Sequence, residues 1–255
     1  MGVKLKGVFK MSIYENLFNE QLFASNERGR RIFEEFVGTR EKLDRLKIEN
    51  TIVMFGSARI KPDDPHEGAR AYYDAARTLA NKLALWSKET FASRPPRDKY
   101  YICTGGGGGI MEAANRGAAE AGEPTIGLNI ELPFEQAANP YIPEDMVFMF
   151  NYFFIRKFYF AFLAKAFVIF PGGFGTFDEL FEILTLAQTR KMQEIMPFVI
   201  FGRDFYNKIL NIDMLLEHGL ISESDRDLYI ITDDIDEAYN HITKNIKTDR
   251  CFISC

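Results

Sequence analysis

Two short segments of this chain are rich in glycine at places where a strand is expected to end. Five consecutive glycines, Gly105–Gly109, follow the apolar run Tyr100–Cys103, and Gly172-Gly173-Phe174-Gly175-Thr176 follows the run Phe167–Phe170. Glycine lets a backbone approach a ligand closely, and a helix that begins there offers unpaired N–H groups and a positive dipole end to an anion. Two such turns in one chain predict a phosphate-binding site.

The spacing of these glycines disfavours two classes of phosphate-binding site. The chain has no G-x-x-x-x-G-K-[ST] segment, which disfavours a P-loop ATPase, and no G-x-G-x-x-G can be placed on Gly105–Gly109 because the sixth position is always Ile110 or later. A mononucleotide therefore fits better than a dinucleotide. The alternative is that the glycines only allow tight packing of helix against sheet.

Glu179 follows the second glycine turn, and both a structural and a chemical reason could explain it there. The segment Thr176-Phe177-Asp178-Glu179 fits a capping box, with Thr176 as N-cap and Glu179 folding back as the third helical residue. A carboxylate beside a phosphate site is unfavourable unless chemistry requires it. The segment therefore predicts either a helix cap or a catalytic carboxylate.

Arg156 stands out because of its neighbours. The predicted helix Tyr152–Lys165 carries apolar side chains on every face around it. A helix that is apolar all round is buried or lies at an interface, and an arginine within it needs an anionic partner or ligand. A solvated Arg156 that extends its charge into water is the alternative.

These residues are expected on a parallel sheet. Short apolar runs alternate with helical patterns from Thr51 onwards, which is typical of an α/β protein with helices on both faces of the sheet. We therefore predict a Rossmann-like open parallel sheet, with the ligand at the carboxyl ends of the strands. The predicted strands are Thr51–Phe55, Tyr100–Cys103, Thr125–Leu128, Val147–Phe150, Phe167–Phe170, Phe198–Phe201 and Tyr229–Ile231. The other predicted helices are Glu67–Trp86, Ile110–Ala121, Thr176–Arg190, Phe205–Glu217 and Ile235–Asn245.

A helical arm precedes the sheet. Residues 13–48 show a helical pattern of apolar positions and are expected to pack on the core or on a partner. The predicted organisation is a helical extension over residues 1–48, a nucleotide-binding catalytic domain over 49–246 and a tail over 247–255.

Composition excludes several classes of function. The 31 basic and 36 acidic residues give a net charge of −5, which disfavours a nucleic-acid binder. The three cysteines have no metal-ligand spacing and indicate a reducing, cytoplasmic setting, and the three histidines are given no role. No secretory signal or membrane-spanning run is recognised, so a protein without a membrane partner or a metal site is expected.

Four segments together resemble the LOG family, the cytokinin riboside 5′-monophosphate phosphoribohydrolases long described as lysine decarboxylases. The resemblance covers about residues 51–201. Its segments are Phe55-Gly56-Ser57-Ala58-Arg59, Thr104-Gly105-Gly106-Gly107 with Ile110–Ala118, Arg156-Lys157, and Pro171-Gly172-Gly173-Phe174-Gly175-Thr176-Phe177-Asp178-Glu179. The family has a Rossmann-like fold, and its minimal unit is a homodimer.

The resemblance implies roles for ten residues. The catalytic pair would be Arg156 and Glu179. The residues that bind substrate would be Ser57, Gly106, Gly107, Lys157, Gly172, Gly173, Gly175 and Thr176, of which the last four would hold the 5′-phosphate. The family often has a proline or serine inside the first glycine loop, where this chain has Gly108.

The implied reaction is hydrolysis of the N-glycosidic bond of AMP or a cytokinin riboside monophosphate, without cofactor or metal. Glu179 would supply the carboxylate that an oxocarbenium-like centre or an attacking water needs, and Arg156 would orient it. Two alternatives stay open: a nucleotide carrier resembling the molybdenum-cofactor carrier proteins, and an interaction module regulated by nucleotide. The preferred base is also left open. A homodimer or higher homo-oligomer is expected, with the aromatic helix near the partner subunit.

Overall fold

The computed structural model describes residues 26–132, 137–192 and 196–246. Residues 13–25 of the predicted arm and the tail 247–255 lie outside the described residues. The described strands are Asn50–Phe55 (β1), Tyr100–Thr104 (β2), Ile126–Ile130 (β3), Val147–Phe150 (β4), Ala164–Ile169 (β5), Phe198–Phe201 (β6) and Ile230–Thr232 (β7). The described α-helices are Glu27–Leu46 (α1), Glu67–Thr90 (α2), Ile110–Glu120 (α3), Phe153–Leu163 (α4), Phe174–Gln188 (α5), Arg203–Ile209 (α6), Ile212–Glu217 (α7) and Ile235–Asn245 (α8).

The seven strands form one parallel sheet in the order β4-β3-β2-β1-β5-β6-β7. The chain winds outward in one direction from β1 to β4 and then restarts on the other side of β1 at β5. Open α/β sheets bind ligands in the crevice at such a reversal point, outside the carboxyl ends of the strands. The predicted fold class is confirmed, and the crevice lies between the turns that follow β1 and β5.

Side chains of the central strands alternate between two apolar layers. In β1, Ile52 and Met54 face the layer that contains α2, α3 and α8. Val53 and Phe55 face the layer that contains α1, α4 and α5. All four side chains are at most 5% exposed. This burial on both faces explains why Ile52–Phe55 is a continuous apolar run, without alternating polar residues.

The described part of the helical arm packs on the core of its own chain. The Glu35 carboxylate of α1 accepts hydrogen bonds from the Asn151 N–H at 2.9 Å and the Tyr152 N–H at 3.2 Å. The Tyr159 hydroxyl of α4 donates to the Phe36 carbonyl at 2.6 Å. The arm therefore fixes the start of the helix that carries Arg156. The three-part division of the chain stays a prediction.

Besides shifts of up to four residues at the ends of other helices, two predicted helices differ in how they end or divide. The helix predicted over Tyr152–Lys165 ends at Leu163, and Ala164 starts β5 without a loop, because pairing with Thr51 of β1 draws this segment into the sheet. The helix predicted over Phe205–Glu217 is divided between α6 and α7. The Asn211 side chain accepts from the Met214 N–H and starts a new helix there.

None of the described helices is both long and apolar enough to cross a membrane.

Candidate active site

A cavity of about 750 Å³ opens at the reversal point of the sheet. Its walls come from the ends of β1, β2, β3 and β5 and from the helices α4 and α5. Seven of the ten predicted site residues line it together: Ser57, Gly107, Arg156, Gly173, Gly175, Thr176 and Glu179. This volume is in the range of small-molecule sites.

The other three predicted site residues lie outside this lining. A Cβ on Gly106 would come 1.9 Å from the Asn129 Oδ1, and a Cβ on Gly172 would come 2.0 Å from the Thr176 Oγ1. Lys157 points along the outside of α5, where its Nζ lies 2.7 Å from Asp178 and 3.1 Å from Glu182. Lys157 therefore ties α4 to α5, which holds the helices of Arg156 and Glu179 together.

Glu179 does not form a capping box. Helix α5 begins at Phe174 with Gly173 as N-cap, and no side chain caps it. Thr176 is consequently the third helical residue, and Glu179 lies in the second turn, 5% exposed, on the cavity wall. The expectation failed because the glycines allow the helix to start three residues earlier than the Thr–Glu spacing indicates. The interpretation of Glu179 as part of a capping box is therefore wrong.

Arg156 and Glu179 face each other across the cavity wall. The Arg156 Nη2 lies 3.6 Å from the Glu179 Oε1, and both side chains are shielded, at 14% and 6% exposure. The guanidinium also lies over the Phe153 and Phe160 rings, with 5.1 and 5.7 Å from its central carbon to the ring centroids. Arginine stacked on aromatic faces is held in orientation without losing its hydrogen-bond donors. The alternative of a solvated Arg156 does not hold.

The Glu179 carboxyl is poised to exchange a proton near neutrality. Burial raises the pKa of Glu179 to about 7, although the positive charges of Arg156 and Lys157 oppose this shift. The Glu179 Oε2 is buried and accepts no hydrogen bond from any described residue. A carboxyl with a pKa near the operating pH, in a cavity and beside a cation, is typical of acid–base catalysis.

The start of α5 forms an open cradle on the cavity floor. A Cβ on Gly173 or Gly175 would meet no atom of the described residues within 4 Å, so packing among these residues does not require glycine at either position. The first turn contains no acidic residue, and no side chain in the described part of the chain caps its N–H groups. Uncapped N–H groups and the positive helix end favour an anion, and the missing side chains leave room for one.

The first glycine turn is held from behind by a buried polar network. Asn139 Nδ2 donates to the carbonyls of Gly106 at 3.2 Å and Gly107 at 3.0 Å and to the Asn115 Oδ1 at 2.8 Å. Thr104 Oγ1 donates to the same Asn115 oxygen at 2.7 Å and accepts from the Gly106 N–H at 2.9 Å. These bonds fix the shape of the turn that lines the cavity.

Several residues of the cavity wall are not among the ten predicted site residues. Met111, Asn129, Phe153 and Phe174 all line it. Phe153 and Phe174 are 49% and 96% exposed at the mouth. Phe153 and Phe174 lie close to predicted site residues in sequence, which is a usable signal. Asn129 is a polar residue inside the apolar run of β3, and this interruption is its one signal in the sequence.

The chain matches the family model described as "Possible lysine decarboxylase" over residues 111–242, just over half of its length. It is 28% identical over 198 residues to the cytokinin riboside 5′-monophosphate phosphoribohydrolase of Arabidopsis thaliana, covering 74% of this chain and 80% of that protein. It is 30% identical over 208 residues to the pyrimidine/purine nucleotide 5′-monophosphate nucleosidase of Escherichia coli, covering 77% of this chain. The matched region spans only 41% of that nucleosidase.

A rice relative, from Oryza sativa subsp. japonica, carries the same phosphoribohydrolase name with the prefix "Probable" and is 29% identical over 156 residues, 58% of this chain and 64% of its own. Among solved structures, the molybdenum cofactor binding protein of Rippkaea orientalis superposes with a TM-score of 0.52 at 18% identity, over 78% of this chain and 98% of its own. That likeness shows the shared fold. The match to more than half of the chain shows the family: this protein belongs to the LOG-type family whose model is described as "Possible lysine decarboxylase".

Proposed function

We propose that this protein is a nucleoside 5′-monophosphate phosphoribohydrolase, which hydrolyses AMP or a cytokinin riboside monophosphate to the free base and ribose 5-phosphate. The observation that carries the proposal is the buried Glu179, with a pKa of about 7, beside Arg156 in a cavity whose floor is an uncapped helix start. The names of the Arabidopsis and E. coli relatives support the same class of reaction.

In this proposal the 5′-phosphate binds at the start of α5. Gly173, Gly175 and Thr176 line the cavity there, and the two glycines leave space for an anion to reach the backbone N–H groups. Glu179 follows Gly175 by four residues on the same helix and lines the same cavity, so that a phosphate held at the floor brings the attached ribose toward the carboxylate.

The chemistry follows from the two facing charges. As the C1′–N bond breaks, its electron pair leaves with the base and positive charge develops on the ribosyl centre. The Glu179 carboxylate stabilises that charge or takes a proton from the water that attacks C1′, while the departing base takes up a proton. Arg156 orients the carboxylate and offsets negative charge on the base.

The residues present do not fit the chemistry in the family description. Amino-acid decarboxylation with pyridoxal phosphate uses a lysine Schiff base. No lysine is among the described residues that line the cavity, and Lys157 is paired with Asp178 and Glu182 on the outside of α5. The cavity wall, as far as it is described, therefore favours glycosidic hydrolysis over decarboxylation.

A homodimer is part of the proposal. Phe154, Phe158 and Phe162 recur every four residues along α4 and are 56%, 42% and 50% exposed. Three aromatic rings on one helix stripe form an apolar surface beside the cavity that a second copy would cover.

The decisive test of the reaction is incubation of the purified protein with AMP. Hydrolysis releases adenine and ribose 5-phosphate in equal amounts. A carrier on the same fold would bind AMP and return it unchanged.

A further inference from the structure

The start of α4 is capped by a side chain from another helix. The first turn of α4 contains no acidic residue, and its N-cap residue, Tyr152, makes no side-chain cap. The Glu35 carboxylate of α1 takes that place. Its Oε2 accepts from the Asn151 N–H at 2.9 Å and from the Asn151 Nδ2 at 3.0 Å, and its Oε1 accepts from the Tyr152 N–H at 3.2 Å. A carboxylate at the positive end of a helix stabilises the first turn of that helix.

Arg156 lies in this first turn. Helix α4 begins at Phe153, and the Arg156 N–H donates to the Tyr152 carbonyl at 3.2 Å. Glu35 therefore binds the N–H of the residue whose carbonyl holds the Arg156 backbone. Because the ends of helices fray, a residue in the first turn depends on the cap for its position more than a residue in the helix interior does.

The charge at Glu179 depends on where α4 begins. Four charged groups act on this carboxyl: Arg156 and Lys157 from α4, which lower its pKa, and Asp178 and Glu182 from α5, which raise it. Arg59, in the turn after β1, lines the same cavity. The Arg156 Nη2 lies 3.6 Å from the Glu179 Oε1, so a displacement of about 1 Å at the start of α4 changes this contact substantially.

The other contacts of the arm reach the core away from this turn. The Lys42 Nζ donates to the Val147 carbonyl at 2.6 Å and lies 4.5 Å from the centroid of the Phe148 ring, at the start of β4. Lys42 therefore helps to hold the arm on the sheet without contact to α4. This separation allows the docking of the arm and the capping of α4 to be tested by different substitutions.

We propose that Glu35 is a positioning residue, which caps α4 and thereby holds the Arg156 guanidinium against Glu179. The kinetic part of this inference rests on the proposed function, because it requires Arg156 and Glu179 to act on a substrate. The structural part does not, because the position of Arg156 can be measured through its effect on Glu179.

Glu35→Gln tests the cap with little change of size. Both oxygens of Glu35 accept hydrogen bonds, and glutamine replaces one of them with an NH₂ group that would face an N–H donor. When the first turn of α4 loosens, Arg156 moves away from Glu179, and the pKa of Glu179 should rise above about 7. Loss of the negative charge of Glu35 would by itself lower this pKa. The direction of the shift therefore separates repositioning of Arg156 from a direct effect of charge.

The experiment measures the Glu179 carboxyl by NMR titration, with its signal assigned by its loss in Glu179→Gln, and the release of base from AMP as a function of pH. In Glu35→Gln we expect a higher pKa of Glu179, a rising limb of turnover moved up by about half a pH unit, and kcat lowered about tenfold with KM within a few-fold. Glu35→Asp keeps the carboxylate and should restore part of each effect.

Two substitutions in the same arm are the controls. Glu34→Gln removes the neighbouring carboxylate, which pairs with Arg30 at the surface. Lys42→Met removes the contact with β4 and leaves the cap in place. Both variants should match wild type in the pKa of Glu179 and in turnover, and circular dichroism checks the folding of every variant.

The outcomes separate this inference from the proposed reaction. If the pKa of Glu179 rises in Glu35→Gln but wild type releases no base from AMP, the reaction is wrong and the positioning role stands. If wild type releases base and the pKa of Glu179 is unchanged or lower in Glu35→Gln, the reaction stands and the positioning role is overturned. An equal rise in Lys42→Met would assign the effect to docking of the arm and overturn it too. Should Glu35→Gln fail to fold, Glu35→Asp decides, because its shorter side chain weakens the cap: a higher pKa of Glu179 supports the inference, and an unchanged one overturns it.

Discussion

The buried position of the Glu179 side chain destabilises the folded protein. It is 5% exposed, one of its oxygens is unbonded by any described residue, and the Arg156 guanidinium lies 3.6 Å away. Desolvation of a carboxylate outweighs a single ion pair at that distance, which is why its pKa is raised. A position that destabilises the fold and faces a cavity supports the catalytic role proposed for Glu179.

Glu179→Gln is expected to lower the turnover of AMP about 10²- to 10⁴-fold, because the amide can neither take a proton nor stabilise a cationic centre. Binding of AMP should change by no more than a few-fold, since the shape is preserved. Rates from base release and affinities from calorimetry measure the two effects.

The matched control for that variant is Glu182→Gln on the same helix. Glu182 is 33% exposed and pairs with Lys157 outside the cavity. Because Asp178 still ties Lys157 to α5 in this variant, turnover should stay within a few-fold of wild type. Equal turnover in Glu179→Gln and wild type would show that Glu179 has no chemical role.

The stability of the protein should also depend on Glu179 in a pH-dependent way. Because its pKa is raised from 4.5 to about 7 on folding, the folded state binds more protons than the unfolded state between these values. Glu179 therefore costs no electrostatic stability below pH 4.5, and the fold loses up to about 3 kcal/mol as the pH rises through 7.

Denaturant unfolding at several pH values tests this sign. Glu179→Gln should be more stable than wild type at about pH 8, and the gap should shrink as the pH falls toward 4.5. A gap that stays constant across this range would mean that the carboxyl titrates normally.

At the scale of elements, the start of α5 is the proposed binding site of the 5′-phosphate. Gly175→Ala adds a methyl group that meets no protein atom within 4 Å, so the fold should accept it and gain up to about 1 kcal/mol from helix propensity. The same methyl group enters the cradle and should lower kcat/KM for AMP about tenfold or more.

Gly38→Ala in α1 is the control for that variant. It is the same helical substitution, also with no atom within 4 Å of the new methyl group, and it lies in the arm. Its kinetics should match wild type. If Gly175→Ala also hydrolysed AMP like wild type, the phosphate would have to bind elsewhere.

The aromatic stripe of α4 is expected to hold the dimer together. Phe154→Ser removes a ring that is 56% exposed and should shift the protein toward monomer in sedimentation velocity at micromolar concentration. Leu220→Ser, at a 68% exposed position between α7 and β7, should leave the oligomeric state unchanged. A monomeric wild type at this concentration would rule the dimer out.

Elements could be predicted from the sequence where one local signal decides the structure. The strand Val147–Phe150 and the helix Ile235–Asn245 have the predicted bounds, since apolar runs and an Asp234 cap mark them locally. The start of α5 differs from the predicted one because Thr176 and Glu179 imitate a capping box, and only the folded turn shows Gly173 as the cap. The contact between Asn129 and the Gly106 turn could not be predicted, because it exists only when β3 pairs with β2 in the folded sheet.

For the whole molecule, the order of the strands explains how an acidic chain can hold an anion. The net charge of −5 would repel a nucleotide at long range. At the reversal between β1 and β5, however, the ligand meets a helix start without acidic residues and the Arg156 guanidinium. In the proposed complex, these local backbone dipoles and the Arg156 charge outweigh the global charge.

The proposed reaction requires the phosphate to place C1′ against Glu179, and a comparison of AMP with adenosine tests this requirement most directly. Binding energy from the phosphate is used for orientation, so its removal should lower turnover and not only affinity. With purified wild-type protein and chromatography of the released base, we predict rapid release of adenine from AMP and very slow release from adenosine at saturating concentrations. Equal rates from the two substrates would contradict the account.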